Sequence, residues 1–241
     1  MSLKRFFVDK IEDTAVLSGE EFEHAKNVLR LGVGAEVILL DNTGVEYIAV
    51  VSAVEKKQML FNIIRKQQGD KETESEVCLL FGYLKNADKN EFLVQKAVEL
   101  GVKKIGVFSS TYSSAYMNAN KLERLNKVSK ESAKQCGRSI APEIVYYDTL
   151  DKALDSVDGY QNKLFACEFA DKSDRDISSL TKGESVAVVV GSEGGFSKEE
   201  AEKAKKYGFD FITLGKRILR AETAGVALTS IVMFSLGEMN L

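Results

Sequence analysis

Val186-Ala187-Val188-Val189-Val190 is apolar at every position and runs without a break into Gly191-Ser192-Glu193-Gly194-Gly195-Phe196. A strand with one wet face alternates apolar and polar residues. A strand apolar throughout is covered on both faces, as in a parallel sheet flanked by helices. The glycine-dense turn opens onto Ser197-Lys198-Glu199-Glu200, a capping-box pattern for a helix that stops at Gly208. The same alternation recurs through the second part of the chain. Residues 77–84 form a continuous apolar run that reads as a central strand. Asp88-Lys89-Asn90-Glu91 then caps a helix with Leu93, Val94, Ala97 and Val98 facing inward and Gly101 at its end. Strands at 105–108, 164–168 and 211–214, a helix over 121–136 with Leu122, Leu125, Val128, Ala133 and Cys136 inward, and an apolar closing helix over 223–236 complete the pattern. Alternating strands and helices predict a largely parallel α/β sheet.

The first 66 residues follow another rule. Runs at 5–8, 35–41, 45–54 and 59–65 are rich in Val, Ile and aromatics, and Asp41-Asn42-Thr43-Gly44 marks a turn between two of them. One helix is expected after the capping box Ser18-Gly19-Glu20-Glu21, with Phe22, Ala25 and Leu29 on one face and an end near Gly32. A small, closed or nearly closed β-barrel with one helix is the economical fold for so much strand. Residues 67–76 are polar and without periodicity, so the domain boundary is expected there, dividing the chain into 1–70 and 71–241.

The 241 residues are 44% hydrophobic and 29% charged, ordinary for a globular chain and unlike a disordered one. No stretch approaches the roughly 18 uninterrupted apolar residues of a membrane span, and Met1 to Phe7 lacks the apolar core of a signal peptide. A soluble, cytoplasmic protein is therefore expected. Cys78, Cys136 and Cys167 form no C-x-x-C pair, and His24 is the single histidine, so no metal centre is expected. Net charge is −3, yet residues 85–138 hold eleven Lys/Arg against five Asp/Glu. That block reads either as a footprint for phosphate or as a solvated face on two helices.

Ligands of open α/β sheets bind outside the carboxyl ends of strands, where glycines let backbone amides come close. The turn at 191–196 has that position, although it matches neither G-x-G-x-x-G nor a phosphate loop. A tight β-α connection that holds no ligand is the other reading. Leu214-Gly215-Lys216-Arg217-Ile218-Leu219-Arg220-Ala221-Glu222-Thr223-Ala224 also follows a strand and precedes a helix. Two such exits could surround one crevice with Arg217, Arg220 and Glu222 beside it; alternatively, Arg220 and Glu222 form a surface pair capping the last helix.

Together the two stretches resemble the RsmE-type 16S rRNA (uracil-N3)-methyltransferases of the SPOUT superfamily, which carry G-P-E-G-G-F-S and L-G-x-R-I-L-R-x-E-T-A. The likeness extends to Arg5-Phe6-Phe7, His24 with Val28-Leu29-Arg30, Lys85, Lys89, Gln95 to Val102, and Gln135-Cys136-Gly137-Arg138. Ser192 and Lys216 stand where the family has prolines that stiffen both loops. The resemblance implies a PUA-like RNA-binding barrel followed by a SPOUT domain with a trefoil knot. It also implies S-adenosylmethionine in the two loops and a homodimer formed through the C-terminal domain.

On that resemblance, the cofactor would meet Val190, Gly191, Glu193, Gly194, Gly195, Leu214, Gly215, Leu219 and Thr223. The 16S rRNA or small ribosomal subunit would meet Arg5, His24, Arg30, Lys85, Lys89, Gln135, Arg138 and Arg217, with His24 equally able to serve the core. Uracil N3 is protonated at neutral pH, so methylation wants a base near N3 and a cation near O2 and O4. Glu222 is the candidate base and Arg220 the candidate cation; a structural Glu222, with the proton lost to water, is the alternative. A non-catalytic RNA-binding protein and a small-molecule α/β enzyme remain competing classes, separable by cofactor affinity and by salt-dependent RNA binding.

Overall fold

The structure, a computed structural model, describes residues 3–167 and 173–239. The chain forms two compact units, Met1–Glu72 with Ala133–Ala141, and Thr73–Ser132 with Pro142–Leu241. The return of 133–141 to the first unit is a tertiary feature with no counterpart in the chain-order reading.

The first unit is a five-stranded sheet of β1 (Lys4–Phe7), β2 (Thr14–Ser18), β3 (Glu36–Leu40), β4 (Val45–Val54) and β5 (Gln58–Gln68), ordered β1-β3-β4-β5-β2. Only β1 and β3 pair in parallel. Register shifts between Ile48 and Ala49 and between Val51 and Ala53 bend the long β4–β5 hairpin. The sheet curls into a half-barrel over Phe6, Leu17, Phe22, Val37, Leu39, Met59 and Phe61. The ladder does not close: β1 and β2 are its two edges, and an isolated bridge joins Ile11 to Ala15.

The expected helix is here a short α1 (Gly19–Glu23) that widens into a π-helical turn over His24–Val28. Ser18 is the N-cap residue of α1 and the last residue of β2, paired with Gln58, but its side chain makes no capping hydrogen bond.

The second unit is a six-stranded, wholly parallel sheet of β6 (Glu76–Gly82), β7 (Lys104–Phe108), β8 (Ile144–Tyr147), β9 (Asn162–Ala166), β10 (Ser185–Val190) and β11 (Asp210–Ile212). Its order is β11-β9-β10-β6-β7-β8, so the chain builds outward from β6 to one edge and then fills the other side. Residues 77–81 and 186–189 are fully buried, as their unbroken apolar runs require. Helices α2 (Ala87–Glu99), α3 (Ala119–Cys136), α4 (Leu150–Asp155), α5 (Lys198–Lys206) and α6 (Ala221–Ser235) complete the unit, although the last residues of α3 fold with the first unit. Strand β8 and helix α4 were not anticipated, and Glu168, the expected end of the ninth strand, lies outside the described residues. Helix α2 is capped by Asn86, whose side chain accepts from the Asp88 amide, rather than by Asp88.

Candidate cofactor site and active site

Because every strand of the second unit is parallel, the loops after β6, β9, β10 and β11 leave the same edge of the sheet. The direction of build-up reverses between β6 and its neighbour β10, which makes the mouth of that pair the crevice of the fold. The backbone closes tightly there. A Cβ on Gly82, the last residue of β6, would stand 2.5 Å from the Ser192 amide nitrogen. Beyond it, buried Asn90 of α2 holds both the amide and the carbonyl of Leu84 through its side chain, at 2.9 and 2.8 Å. The Lys85 amide is thereby presented to the Glu193 carboxylate, which accepts from it at 3.1 and 3.3 Å. Glu193 ties the glycine turn across the crevice, a role spacing alone did not assign.

The turn itself is narrow: the Gly195 amide donates to the Ser192 carbonyl at 3.0 Å, and Gly195 has a φ of +65°. A Cβ on Gly194 would come within 2.6 Å of Tyr112 Cβ, so this glycine lets the loop after β7 lie on the turn. Phe196 is driven into the core, its ring centroid 4.1 Å from that of Phe165. Ser197 and Glu200 then form the predicted capping box of α5. Val190 and Gly191 are buried, whereas Glu193 and Gly194 are exposed.

The second loop follows β11. Gly215 has a φ of +91° and open space around its α-carbon, and Gly215, Lys216, Arg217 and Ile218 are all exposed. Leu214 and Leu219 are half-buried. Arg220 is the exposed N-cap residue of α6, and Glu222 and Thr223 lie in that helix's first turn. Glu222 does not pair with Arg220. Its Oε1 is 3.2 Å from Lys89 Nζ on α2, while its Oε2 is buried and has no hydrogen-bond partner among the described residues. Ser192 Oγ, in the first loop, is orphaned in the same way. Buried polar atoms are nearly always satisfied, so each marks a place where a ligand or water belongs.

The residues expected to meet RNA divide by environment. His24 and Arg30 are exposed on and just after the π-helical turn, Arg30 with a left-handed φ of +54°. Lys85, Gln135 and Arg217 are exposed as well. Arg5 is engaged with Glu46 at 2.8 Å, and that carboxylate also accepts from Gln67 and Ser139. Arg138, expected at the RNA surface, is 2% exposed, and its guanidinium donates twice to Glu72 Oε2, at 3.0 and 2.8 Å. Glu72 Oε1 accepts from the Ser139 and Ile140 amides, so this pair clamps 138–140 into the first unit. The basic block is equally committed elsewhere. Lys89, Lys96, Arg124, Lys127 and Lys134 each pair with a carboxylate, so the surplus of cations in 85–138 is not a row of free charges.

Among the described residues no cluster of His, Cys, Asp or Glu could hold a metal ion, and no helix is long and apolar enough to cross a membrane.

Comparison with known proteins places this arrangement, a curled β-unit followed by a parallel α/β unit with two glycine loops at one sheet edge, among the RNA methyltransferases. Family models for an RNA methyltransferase domain and an RNA methyltransferase PUA domain match residues 71–233 and 17–64. The chain belongs to this RNA methyltransferase family, and within it to the ribosomal RNA small subunit methyltransferase E type. A protein of that name from Bacillus subtilis is 28% identical over 96% of each chain. Its Mesomycoplasma hyopneumoniae counterpart is 35% identical over 69% of this chain and 73% of its own. The crystal structure of a ribosomal RNA small subunit methyltransferase E from Neisseria gonorrhoeae, bound to S-adenosyl methionine, superposes with a TM-score of 0.83. It is 27% identical and covers 98% of each chain.

Proposed function

We propose that this chain transfers the methyl group of S-adenosylmethionine to N3 of a uridine in the 16S rRNA of the small ribosomal subunit. The observation that carries the reading is the two glycine loops leaving one edge of a parallel sheet, with Arg220 and Glu222 at the start of the helix beyond the second loop. The cofactor, when bound, supplies an electrophilic methyl group. The residues present fit it. Gly191, Gly194 and Gly195 allow backbone to approach a ligand, Gly215 has free space at its α-carbon, and the orphaned Ser192 Oγ offers a polar partner.

In this mechanism Arg217 holds a phosphate or carbonyl oxygen of the RNA and fixes the base in line, and such positioning supplies much of the rate. Glu222 takes the proton from N3 and leaves that nitrogen with the lone pair a nucleophile needs; the bound cofactor would supply the methyl group and keep the S–C electron pair as a neutral thioether. Arg220 stabilises the negative charge spreading to O2 and O4. The target base reaches the site flipped out or already unpaired. Arg5, His24 and Arg30 of the first unit and Lys85 and Gln135 contribute RNA contacts, with Arg5 reaching phosphate only by leaving Glu46. The same reading includes the trefoil threading of the last segment, a cytoplasmic location, and a homodimer through α6, whose Ile231 and Phe234 are 42% and 52% exposed.

One second reading is favoured by the Lys89 ion pair. In it, Glu222 only ties α6 to α2, and the N3 proton leaves to water.

Mass mapping of rRNA nucleosides from cells lacking the protein tests the function: loss of one 3-methyluridine from 16S rRNA is expected, and an unchanged nucleoside map overturns it. Gly194→Val tests the loops. The added side chain collides with Tyr112, so calorimetry should find cofactor binding abolished while circular dichroism stays native. Parental affinity would remove the loop from the cofactor site.

A further inference from the structure

Between β7 and α3 the chain makes a loop, residues 109–118, that is anchored at its base and open at its tip. The Thr111 amide donates to Glu200 Oε1 at 2.8 Å, and Glu200 is itself held in the capping box of α5. Tyr112 lies against Gly194, where any side chain would collide with it. The Ser110 amide donates to Ser113 Oγ at 2.8 Å, and Ser109 shares a hydrogen bond with the Tyr146 hydroxyl at the same distance. The loop is therefore fixed to the cofactor turn and to the start of the next helix.

What it presents to solvent is aromatic. Tyr112 is 53% exposed and Tyr116 is 77% exposed, on a loop otherwise made largely of Ser, Thr and Asn. Rings left to themselves fold back onto apolar surface, because burial is favourable. Here Lys121 donates to the Tyr116 carbonyl at 2.7 Å while its ammonium stands 5.3 Å above the Tyr83 ring, which holds that end of the loop in place. No acidic residue occurs between Ser109 and Asn120, and exposed Lys121 follows directly on the chain. Exposed aromatic faces on a segment with no carboxylate of its own, with Lys121 beside it, suit unpaired nucleotides, whose bases stack and whose phosphates are attracted. A second copy of the chain would instead prefer the apolar face at Ile231 and Phe234.

We propose that the 109–118 loop is a stacking platform for an unpaired base next to the target uridine, with Tyr116 as the principal ring and Tyr112 joining it to the cofactor turn. This rests on the methyltransferase reading and adds to it how the substrate strand is held beside the site. A base flipped into the crevice leaves a neighbour that has lost its stacking partner, and a tyrosine face replaces that partner.

The test uses the full chain with S-adenosylmethionine, small subunits purified from cells lacking the protein, and oligouridylate as a binding probe. Tyr116→Leu keeps bulk but removes the π face, and Tyr116→Phe keeps the face. Tyr116→Leu should raise KM for the subunit, and Kd for oligouridylate, by about 5- to 150-fold, the size of one lost base–aromatic stack. Tyr116→Phe should stay near the parent, and both should bind S-adenosylmethionine with parental affinity. If Tyr116→Leu binds and methylates with parental KM, or changes the oligomeric state in sedimentation instead, the platform is overturned while the methyltransferase reading stands. A parent chain that neither methylates the subunits nor binds the probe overturns both.

Discussion

Lys89 Nζ stands 3.2 Å from Glu222 Oε1, and one turn further along the same two helices Leu93 of α2 packs on Gly225 of α6. A Cβ at 225 would come within 2.7 Å of the Leu93 side chain, so a larger residue there would push that side chain aside. The ion pair turns a lysine expected to meet phosphate into the partner of the candidate base. The two side chains are only 27% and 14% exposed.

Glu222→Gln should lower turnover about 100-fold, the size expected for a lost general base, with cofactor and RNA affinity kept. Raising the pH should recover part of the loss, since hydroxide can then remove the N3 proton. Lys89→Met should leave the salt dependence of RNA binding unchanged and lower thermal stability by about 1–2 kcal/mol, between the exposed and buried limits for an ion pair. Full turnover in Glu222→Gln, read from initial rates at saturating substrate, would assign Glu222 to helix tethering alone.

Arg138 carries a different prediction. Its removal leaves the Glu72 carboxylate, 16% exposed, facing a vacated guanidinium site, and breaking a buried pair in this way costs about 3–5 kcal/mol. Arg138→Ala should lower the melting temperature markedly while the slope of log affinity against log salt stays parental. A reduced slope with an unchanged melting temperature would return Arg138 to the RNA surface.

Phe234 and Ile231 project from α6 into solvent although the helix is apolar nearly throughout. If the proposed homodimer forms through α6, Phe234→Glu should convert it to a monomer in sedimentation equilibrium and reduce activity with it, because charge within an apolar interface is desolvated without a partner. A parent protein that is monomeric and active at nanomolar concentration would refute the dimer.

Glu238 links pH to stability. Burial works to raise its carboxyl pKa, but hydrogen bonds from the Ser75 hydroxyl and amide, both at 2.7 Å, outweigh burial and hold it below the ordinary carboxylate value. A depressed folded pKa means the contribution is complete above the ordinary carboxylate range and fades as pH falls through the lowered value. Glu238→Gln should therefore be less stable than the parent at neutral pH, and the difference should shrink in acid. An equal gap at pH 7 and pH 3 in denaturant titrations would show that Glu238 is not the titrating group.

Much of the second unit is legible along the chain because its rules are local. The run at 186–190 had to be buried on both faces, Ser197 and Glu200 are close enough to cap one another, and glycines at 191, 194 and 195 could only sit in a turn. Local rules did not settle every end. Ser18 has the same pattern as Ser197 and likewise precedes a helix, yet its side chain makes no capping hydrogen bond, and its backbone also ends β2 against Gln58. The strand at Thr14–Ser18 and the one at Ile144–Tyr147 are short, and their stability comes from neighbours distant in sequence.

The two C-terminal motifs, read as patterns, were enough to name the family and its two glycine loops. Which charges stay exposed was decided only in three dimensions. Charge counting treats Arg138, Lys89 and Lys85 alike, but folding buries the first against Glu72, pairs the second with Glu222, and leaves the third at the surface with its amide on Glu193. A side chain's availability depends on what lies within a few ångströms of it, and in this protein those neighbours come from residues far away in the chain.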